Sequence, residues 1–565
     1  MKIVIIGGVA GGASAAARLR RLDENAQIIV LEKSGFVSYA NCGLPYYIGG
    51  VIEDKSALSV QTPKSLWDRF KIDVRIHSEV VSIDKENKKV TVKDLVNGGE
   101  YIENYDKLII STGARPVIPE LPNVNNPKIM TLRTVEDTYK IKDFMLQNKP
   151  RKAVVIGGGF IGLETAENLI ESGIDTTLIQ RSSHVMTPLD YDMACQIHTY
   201  LRTKGMHLLL NTNVKGFIEK ENKLEIELEG KETLEADFVV LAIGVLPESE
   251  LAQSAGLKTG VKGAIVVNEK METSDHDIYA VGDVAQVHHL VTKEETVIAL
   301  AGPANKQGRI AANNICGIKS SYKDTLGASV IKLFDMTSAS TGLNETAAKA
   351  AGLRFDKVVL FSSNHAAYYP DSTNMTIKVL FLPETGEIIG AQIIGFDGVD
   401  KRIDVLSALI RMGAKAVDLE DIELAYAPPY SSAKDPVNMA GFVIENIRKN
   451  LVKQFHWHDL NNLPDNAVCL DIRSEQEFKN GHLPRAINIP LNTLRERLSE
   501  LDKSKTLYVN CYSGLRSYIA CRILSQNGFD CYNFSGGYHF YETITSAKSV
   551  FENVYPCGIK KTQLS

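Results

Sequence analysis

The chain has 565 residues, a formal net charge of −5, 44% hydrophobic residues and 23% charged residues. That is an ordinary soluble composition, long enough for roughly three or four domains, with neither the basic excess of a nucleic-acid binder nor a polybasic block for a membrane surface. The longest apolar runs, such as Phe238 to Leu246, are far too short to span a bilayer. The eight cysteines (42, 195, 316, 469, 511, 521, 531, 557) contain no CxxC pair, which argues against a secreted disulfide framework and against a zinc or other metal site. We read a cytoplasmic protein whose N-terminus is a strand and not a signal peptide.

Ile3 to Ile6 is a predicted strand, followed by Gly7-Gly8-Val9-Ala10-Gly11-Gly12 and an Ala-rich helix through Arg21. The next strand, Gln27 to Leu31, ends at Glu32. Strand, Gly loop, helix, strand and acid is the order of a dinucleotide site. The glycines let backbone N–H groups approach a pyrophosphate, and the acid takes a ribose hydroxyl. Val9 occupies the middle glycine position, so the pattern is imperfect. A second loop, Gly157-Gly158-Gly159-Phe160-Ile161-Gly162, has all three glycines in place after the strand Lys152 to Ile156. Its following strand, Thr176 to Ile179, ends at Gln180-Arg181 in place of an acid, which leaves NADH and NADPH both open.

Between and after the loops, Leu108-Ile109-Ile110-Ser111-Thr112-Gly113 and Ile278-Tyr279-Ala280-Val281-Gly282-Asp283 are strands ending in Gly turns. Ser38 to Tyr47 carries Cys42 among small and turn-forming residues. This arrangement resembles the FAD-dependent pyridine nucleotide-disulfide oxidoreductases. The resemblance implies a FAD site at Gly7, Gly8, Ala10, Gly11, Gly12, Glu32, Lys33, Val81, Thr112, Gly113 and Asp283. It implies an NAD(P)H site at Gly157, Gly159, Ile161, Gly162, Gln180, Arg181 and Gly244. The FAD-binding domain is then discontinuous (1–152 and 271–324) around an NAD(P)H-binding domain (153–270), with a dimerisation domain over 325–445.

Most members of that superfamily carry a second cysteine at the position that here is Tyr47, so Cys42 has no local resolving thiol. A one-cysteine site cycles through a sulfenic acid or through a mixed disulfide with a small thiol. Ala10 stands where peroxidase relatives carry histidine. Ser38 to Gly50 and Ala425 to Asp435 resemble the coenzyme A disulfide reductases. That resemblance implies that Tyr368 and Tyr426 assist the sulfur chemistry from the partner subunit of a homodimer. It also implies coenzyme A contacts at Ser14, Arg18, Arg21, Ser38, Asn41, Asn305 and Lys434.

Asn446 to His458 reads as a helical exit and linker, after which a small α/β domain occupies 459–550, with a tail over 551–565. Cys511-Tyr512-Ser513-Gly514-Leu515-Arg516 follows a predicted strand and opens a helix. With Asp471-Ile472-Arg473, Gly481-His482-Leu483-Pro484 and Ser535-Gly536-Gly537 it resembles a rhodanese domain. A cysteine facing backbone N–H groups at a helix N-terminus beside Arg516 can hold an anionic persulfide. The related phosphatase loops are a residue longer, which favours sulfane sulfur over phosphate.

The expected architecture is therefore α/β: two Rossmann-like dinucleotide-binding domains, an α+β dimerisation domain and a C-terminal rhodanese-like domain. The expected activity is NAD(P)H-dependent reduction of CoA disulfide, CoA persulfide or polysulfide at Cys42, with Cys511 handling sulfane sulfur. Two alternatives remain at this stage. One is an NAD(P)H oxidase or peroxidase using a Cys42 sulfenic acid; the other is a sulfurtransferase with a regulatory flavin half.

Overall fold

A computed structural model describes residues 1–221 and 223–546. The expected tail, with Cys557, and the last residues of the expected 459–550 domain lie outside them. The chain forms two compact units. The first comprises Met1–Ser182 and Met206–Gly327; the second comprises Ser183–Gly205 and the chain from Ala328 onward.

The first unit is built on two parallel five-stranded sheets of matching order. In one, Lys2–Ile6 lies at the centre, flanked by Gln27–Leu31 and Lys107–Ile110, with Asp73–Arg75 and Ile278–Ala280 at the edges. In the other, Lys152–Ile156 is central, flanked by Asp175–Ile179 and Phe238–Leu241, with His207–Leu209 and Ile129–Thr131 at the edges. The central strands read as unbroken β-branched and aliphatic runs because both faces of a parallel sheet are buried; Val90 and Val92 share a core with the first sheet, and Phe217 and Ile226 with the second. Ile3, Val4 and Ile5 are fully buried. Each half also carries a three-stranded antiparallel sheet: Ser78–Asp84, Lys89–Asp94 and Glu100–Asn104 in the first, Val214–Lys220, Lys223–Leu228 and Leu234–Ala236 in the second.

The structure moves the expected domain boundaries. Ile129–Thr131 pairs in parallel with Val239–Leu241, so the second sheet begins well before residue 153. Val245–Pro247 then pairs with Ala114–Pro116, and Ile265 bridges Ala285, so the chain rejoins the first half before residue 270. Helix Tyr191–Thr203 groups with the second unit.

In the second unit, five antiparallel strands (Ser329–Leu333, Met336–Gly342, Ile388–Gly395, Asn374–Phe381, Asp356–Ser363, in that spatial order) carry the helices Val399–Arg411 and Pro436–Arg448. A parallel sheet follows: Lys453–Phe455, Cys531–Phe534, Thr506–Asn510, Ala467–Asp471 and Ile487–Asn488. Lys453–Phe455 pairs with Tyr532–Phe534, so part of the expected linker 446–458 is an edge strand of the C-terminal domain.

That domain is stitched to the antiparallel sheet. Val359 N donates to Ser535 Oγ at 3.0 Å, Gln454 Nε2 donates to the Lys357 carbonyl at 2.7 Å, and Phe361 packs on His539. Beneath them Lys378 Nζ, fully buried, contacts Asp190 at 2.9 Å, Asp192 at 2.7 Å and Glu345 at 2.6 Å.

Candidate functional site

The two glycine loops of the first unit are near copies. Gly7 and Gly157 have φ of +91° and +114°, a region that disfavours any side chain. A Cβ on Gly12 would lie 1.9 Å from the Gly7 carbonyl oxygen, and one on Gly162 would lie 1.9 Å from that of Gly157. The helices Ala10–Leu22 and Phe160–Glu171 start on Val9 and Gly159 with no side-chain cap, so their first N–H groups face outward for a pyrophosphate. Glu32 Oε2 accepts from Gly8 N at 2.9 Å; Gln180 Oε1 accepts from Gly158 N at the same 2.9 Å. Burial pushes the Glu32 carboxyl up against these hydrogen bonds.

The space beside the second loop fits a dinucleotide. A Cβ on Gly159 or Gly244 would meet nothing within 4 Å, so both backbones lie open to a ligand. Ala10 opens the first helix, Ile161 is the second residue of the other, and both are half-buried. In the first half, Thr112 Oγ1 donates to the Glu248 carbonyl at 2.6 Å, Gly113 turns at φ +74°, and Lys33 pairs with Glu248. Val81 sits at a bulge in the antiparallel sheet, where its backbone leaves the ladder. Asp283 pairs with Arg133 Nη2 at 2.9 Å.

Cys42 lies on a short 3-10 turn, Asn41–Gly43, and is exposed. Its loop is tied to the first glycine loop. Ser38, with φ +48°, donates its N–H to the Gly8 carbonyl at 2.8 Å, and Ala40 N donates to the Leu58 carbonyl at 2.7 Å. The Asn41 amide donates to the Arg133 carbonyl at 2.9 Å and accepts from Arg133 Nη1 at 2.8 Å in its bonded orientation. Protein packed behind the thiol, then the Glu164 carboxylate, push Cys42 above the ordinary cysteine range, while Arg133 pulls it down. Burial raises Glu164 itself to about 7, and Tyr46 OH donates to it at 3.4 Å.

Beside this loop is a cavity of about 370 Å³ lined by Ser14, Arg18, Arg21, Ser38 and Asn305. The sequence singled out all five. The cavity also holds Arg69 and Arg309, which it missed. Arg309 was findable, because it lies one helical turn beyond Asn305 on Ala301–Ile315. That helix meets Ala10–Leu22 closely: a Cβ on Gly308 would lie 2.3 Å from the Gly11 carbonyl. The neighbouring Arg20 is structural, buried with its guanidinium on backbone carbonyls such as Phe70 O at 2.7 Å and Ala26 O at 2.8 Å. Asn41 does not line the cavity, and Lys434 belongs to the second unit.

In the second unit the hydroxyls of Tyr368 and Tyr426 lie 2.9 Å apart, and the side chains are 76% and 47% exposed. The hydrogen bond shared with Tyr426 is the main cause raising the Tyr368 hydroxyl. Their loops are braced by buried Arg402, whose Nη2 donates to the Asn364 carbonyl at 2.7 Å and to Asp435 at 3.0 Å.

Cys511 follows the strand Thr506–Asn510, and Gly514, at φ +98°, turns the chain into helix Leu515–Gln526. Its Sγ is buried and accepts from Gly514 N at 3.1 Å and from Ser517 Oγ at 3.2 Å. Arg516 makes a bidentate pair with Glu477 at 2.9 and 2.6 Å, which with Ser474 holds Glu477 down to about 2. Glu477 and Ser517 are site residues that sequence reasoning did not assign. Cys521 and Cys531 are core residues, and Cys469 is half-buried.

Two groups among the described residues bring carboxylate or histidine ligands together, Asp275–His276–Asp277 and Asp190–Asp192–Glu345. In the second, Lys378 already occupies the centre. No helix of the described residues is long and apolar enough to cross a membrane.

Comparison with known proteins agrees with this geometry. Residues 1–308 match the family described as pyridine nucleotide-disulphide oxidoreductase, residues 328–436 its dimerisation domain, and residues 457–543 the rhodanese-like domain. A coenzyme A disulfide reductase of Staphylococcus aureus (strain JH9) is 37% identical over 442 residues, covering 78% of this chain and 99% of that protein. The crystal structure of reduced Bacillus anthracis CoADR-RHD superposes with a TM-score of 0.95 at 46% identity, over 97% of this chain and 99% of that one. An NAD-dependent persulfide reductase from A. fulgidus gives a TM-score of 0.90 at 38% identity, over 96% of this chain and 100% of that one.

Proposed function

The chain belongs to the pyridine nucleotide-disulphide oxidoreductase family, and from that premise we propose that it is a homodimeric, FAD-dependent NAD(P)H oxidoreductase reducing CoA disulfide, CoA persulfide or polysulfide at Cys42. One observation carries the reading: among the described residues Cys42 is the only exposed cysteine, with Tyr47 where a resolving thiol would stand. Such a sulfur needs a thiol from outside the chain to complete a disulfide. The arginines of the neighbouring cavity fit the phosphates of coenzyme A.

Bound FAD supplies a two-electron relay between NAD(P)H and sulfur. The work of the chain is to bind, orient and move protons. The Cys42 thiolate attacks the inner sulfur of a CoA persulfide. The S–S bond breaks, hydrosulfide leaves, and a Cys42–CoA mixed disulfide forms. Two electrons then return Cys42 and CoA as thiolates. The net change is CoA–SSH + NAD(P)H + H⁺ → CoA–SH + H₂S + NAD(P)⁺. Burial and the Glu164 carboxylate hold the Cys42 thiol up, so Arg133, which pulls it down, is the group that favours the attacking thiolate. We assign the proton for the leaving sulfur to the Tyr368–Tyr426 hydroxyl pair, contributed across the homodimer. The exposure of both rings in a single chain supports that assignment.

The rhodanese-like domain supports persulfide or polysulfide over CoA disulfide as the working substrate. A Cys511 persulfide can pass its outer sulfur to CoA–SH, giving Cys511–SH and CoA–SSH. Ser517 and Gly514 N–H orient the Cys511 sulfur.

The test is intact mass of purified protein before and after dithiothreitol, with mapping of the Cys42 peptide. A reducible adduct of CoA mass on Cys42 supports the cycle. An unadducted Cys42 sulfenic acid would replace it with an oxidase or peroxidase reading, and a bare, unreactive thiol would overturn the redox role.

A further inference from the structure

The two nucleotide loops serve as controls for each other, because each ends its second strand on the same three-residue pattern. Glu32-Lys33-Ser34 closes the first and Gln180-Arg181-Ser182 closes the second. In both, the first side chain bonds the N–H of the second loop glycine at 2.9 Å. In both it also reaches the serine two residues on: Ser34 N donates to Glu32 Oε1 at 2.9 Å, and Gln180 Nε2 donates to Ser182 Oγ at 2.6 Å. The geometry is kept while the charge is changed.

In the first loop the acid supplies one negative charge, and the cation after it is matched by Glu248. In the second, the carboxamide does the positioning without a charge. Arg181 is exposed and has no ion-pair partner among the described residues. The backbone on either side of Arg181 is fixed. Thr212 N donates to the Gln180 carbonyl and Asn211 N to the Ser182 carbonyl, each at 3.1 Å. The same turn brings a second cation, Lys231, whose Nζ donates to Thr212 Oγ1 at 2.5 Å.

A carboxylate at this strand end takes both ribose hydroxyls and repels a 2′-phosphate. A neutral amide followed by an unpaired guanidinium does the reverse. We propose that the Gln180-Arg181-Ser182 strand end selects NADPH over NADH, with Arg181 as the residue that binds the 2′-phosphate. This inference rests on the reading of the second loop as the NAD(P)H site.

The test uses the FAD-loaded full-length protein and two readouts. Calorimetric titration with NADP⁺ and with NAD⁺ reports binding alone. Anaerobic flavin bleaching by NADPH and by NADH reports electron entry, with no sulfur substrate present. We expect NADP⁺ to bind at least about ten-fold more tightly than NAD⁺, a difference of about 1.4 kcal/mol. Arg181→Leu should lower the NADPH:NADH ratio of bleaching efficiency at least about ten-fold, and Gln180→Glu should move the ratio the same way. The affinity difference of the wild type should shrink as salt rises.

Equal affinities in the wild type, or an Arg181→Leu variant that keeps the NADPH:NADH ratio, would overturn the selection and leave the reductase reading standing. Absence of bleaching by either nucleotide would overturn both. The wild-type comparison needs no variant to fold, so the inference stays exposed to failure even if Gln180→Glu is unstable.

Discussion

The assignment of one glycine loop to FAD and the other to NAD(P)H can be broken by two methyl groups. Gly12→Ala and Gly162→Ala each place a Cβ 1.9 Å from a carbonyl oxygen of the same loop. That is roughly 1.5 Å inside ordinary non-bonded contact. The obstructing atom is backbone, so the loop must shift and cannot be relieved by a rotamer change. Overpacking of this kind costs about 1–3 kcal/mol, and distortion of a binding loop by that amount weakens a ligand by about 5- to 150-fold. The two variants should part company. Gly12→Ala should be purified with sub-stoichiometric flavin, read as the ratio of flavin to protein absorbance. Gly162→Ala should keep its flavin and lose nicotinamide affinity, read as a raised Kd in calorimetry. Circular dichroism of both variants guards against global unfolding. If Gly162→Ala releases the flavin while Gly12→Ala retains it, the assignment is reversed. If both retain both ligands at wild-type affinity, the loops are not the sites.

Two further outcomes follow from buried charge. Lys378→Met leaves Asp190, Asp192 and Glu345 together without their central cation, and breaking a buried pair costs about 3–5 kcal/mol; a chemical-denaturation midpoint equal to wild type would refute the role of this hub. Burial raises the Glu164 carboxyl from its ordinary 4.5 to about 7, so the folded chain holds a proton in that window which the unfolded chain has released, and stability falls as pH rises through it. Glu164→Gln should remove this slope: the wild-type stability relative to the variant should decline between pH 4.5 and about 7, and a pH-independent difference would contradict the placement.

The parts legible in the sequence were those with a fixed local signature. Gly7, Gly12, Gly157 and Gly162 were readable because a close backbone approach admits no other residue. Arg18 and Arg21 were readable as cations on the first helix, Ser14 only through the resemblance to the coenzyme A disulfide reductases, and the structure gathers the three in one cavity. Cys511 and Arg516 were readable from loop length. The missed residues act across distance in the chain. Arg133 reaches Asp283 and Asn41, and Glu477 reaches Arg516, by contacts that no spacing announces. Ile129–Thr131 was too short to stand out as a strand, yet it marks where the second sheet begins. Lys453–Phe455 was hidden for another reason. The run after helix Pro436–Arg448 is polar and turn-like only through Asn450 and the strand itself is short, so its pairing partner nearly eighty residues on was invisible to local patterning.

That short strand changes what kind of object the C-terminal domain is. A module on a slack tether can be trimmed, transplanted or swung towards its customer. Here the first strand of the domain follows helix Pro436–Arg448 after only Lys449, Asn450, Leu451 and Val452, and the domain is fastened by Ser535, Gln454 and His539 to the neighbouring sheet. Cutting the chain at the old linker would remove an edge strand from one partner and strip a buried backbone N–H of its acceptor in the other. The antiparallel sheet and the C-terminal domain are therefore packed as a single piece, and traffic to Cys511 has to come to a fixed address.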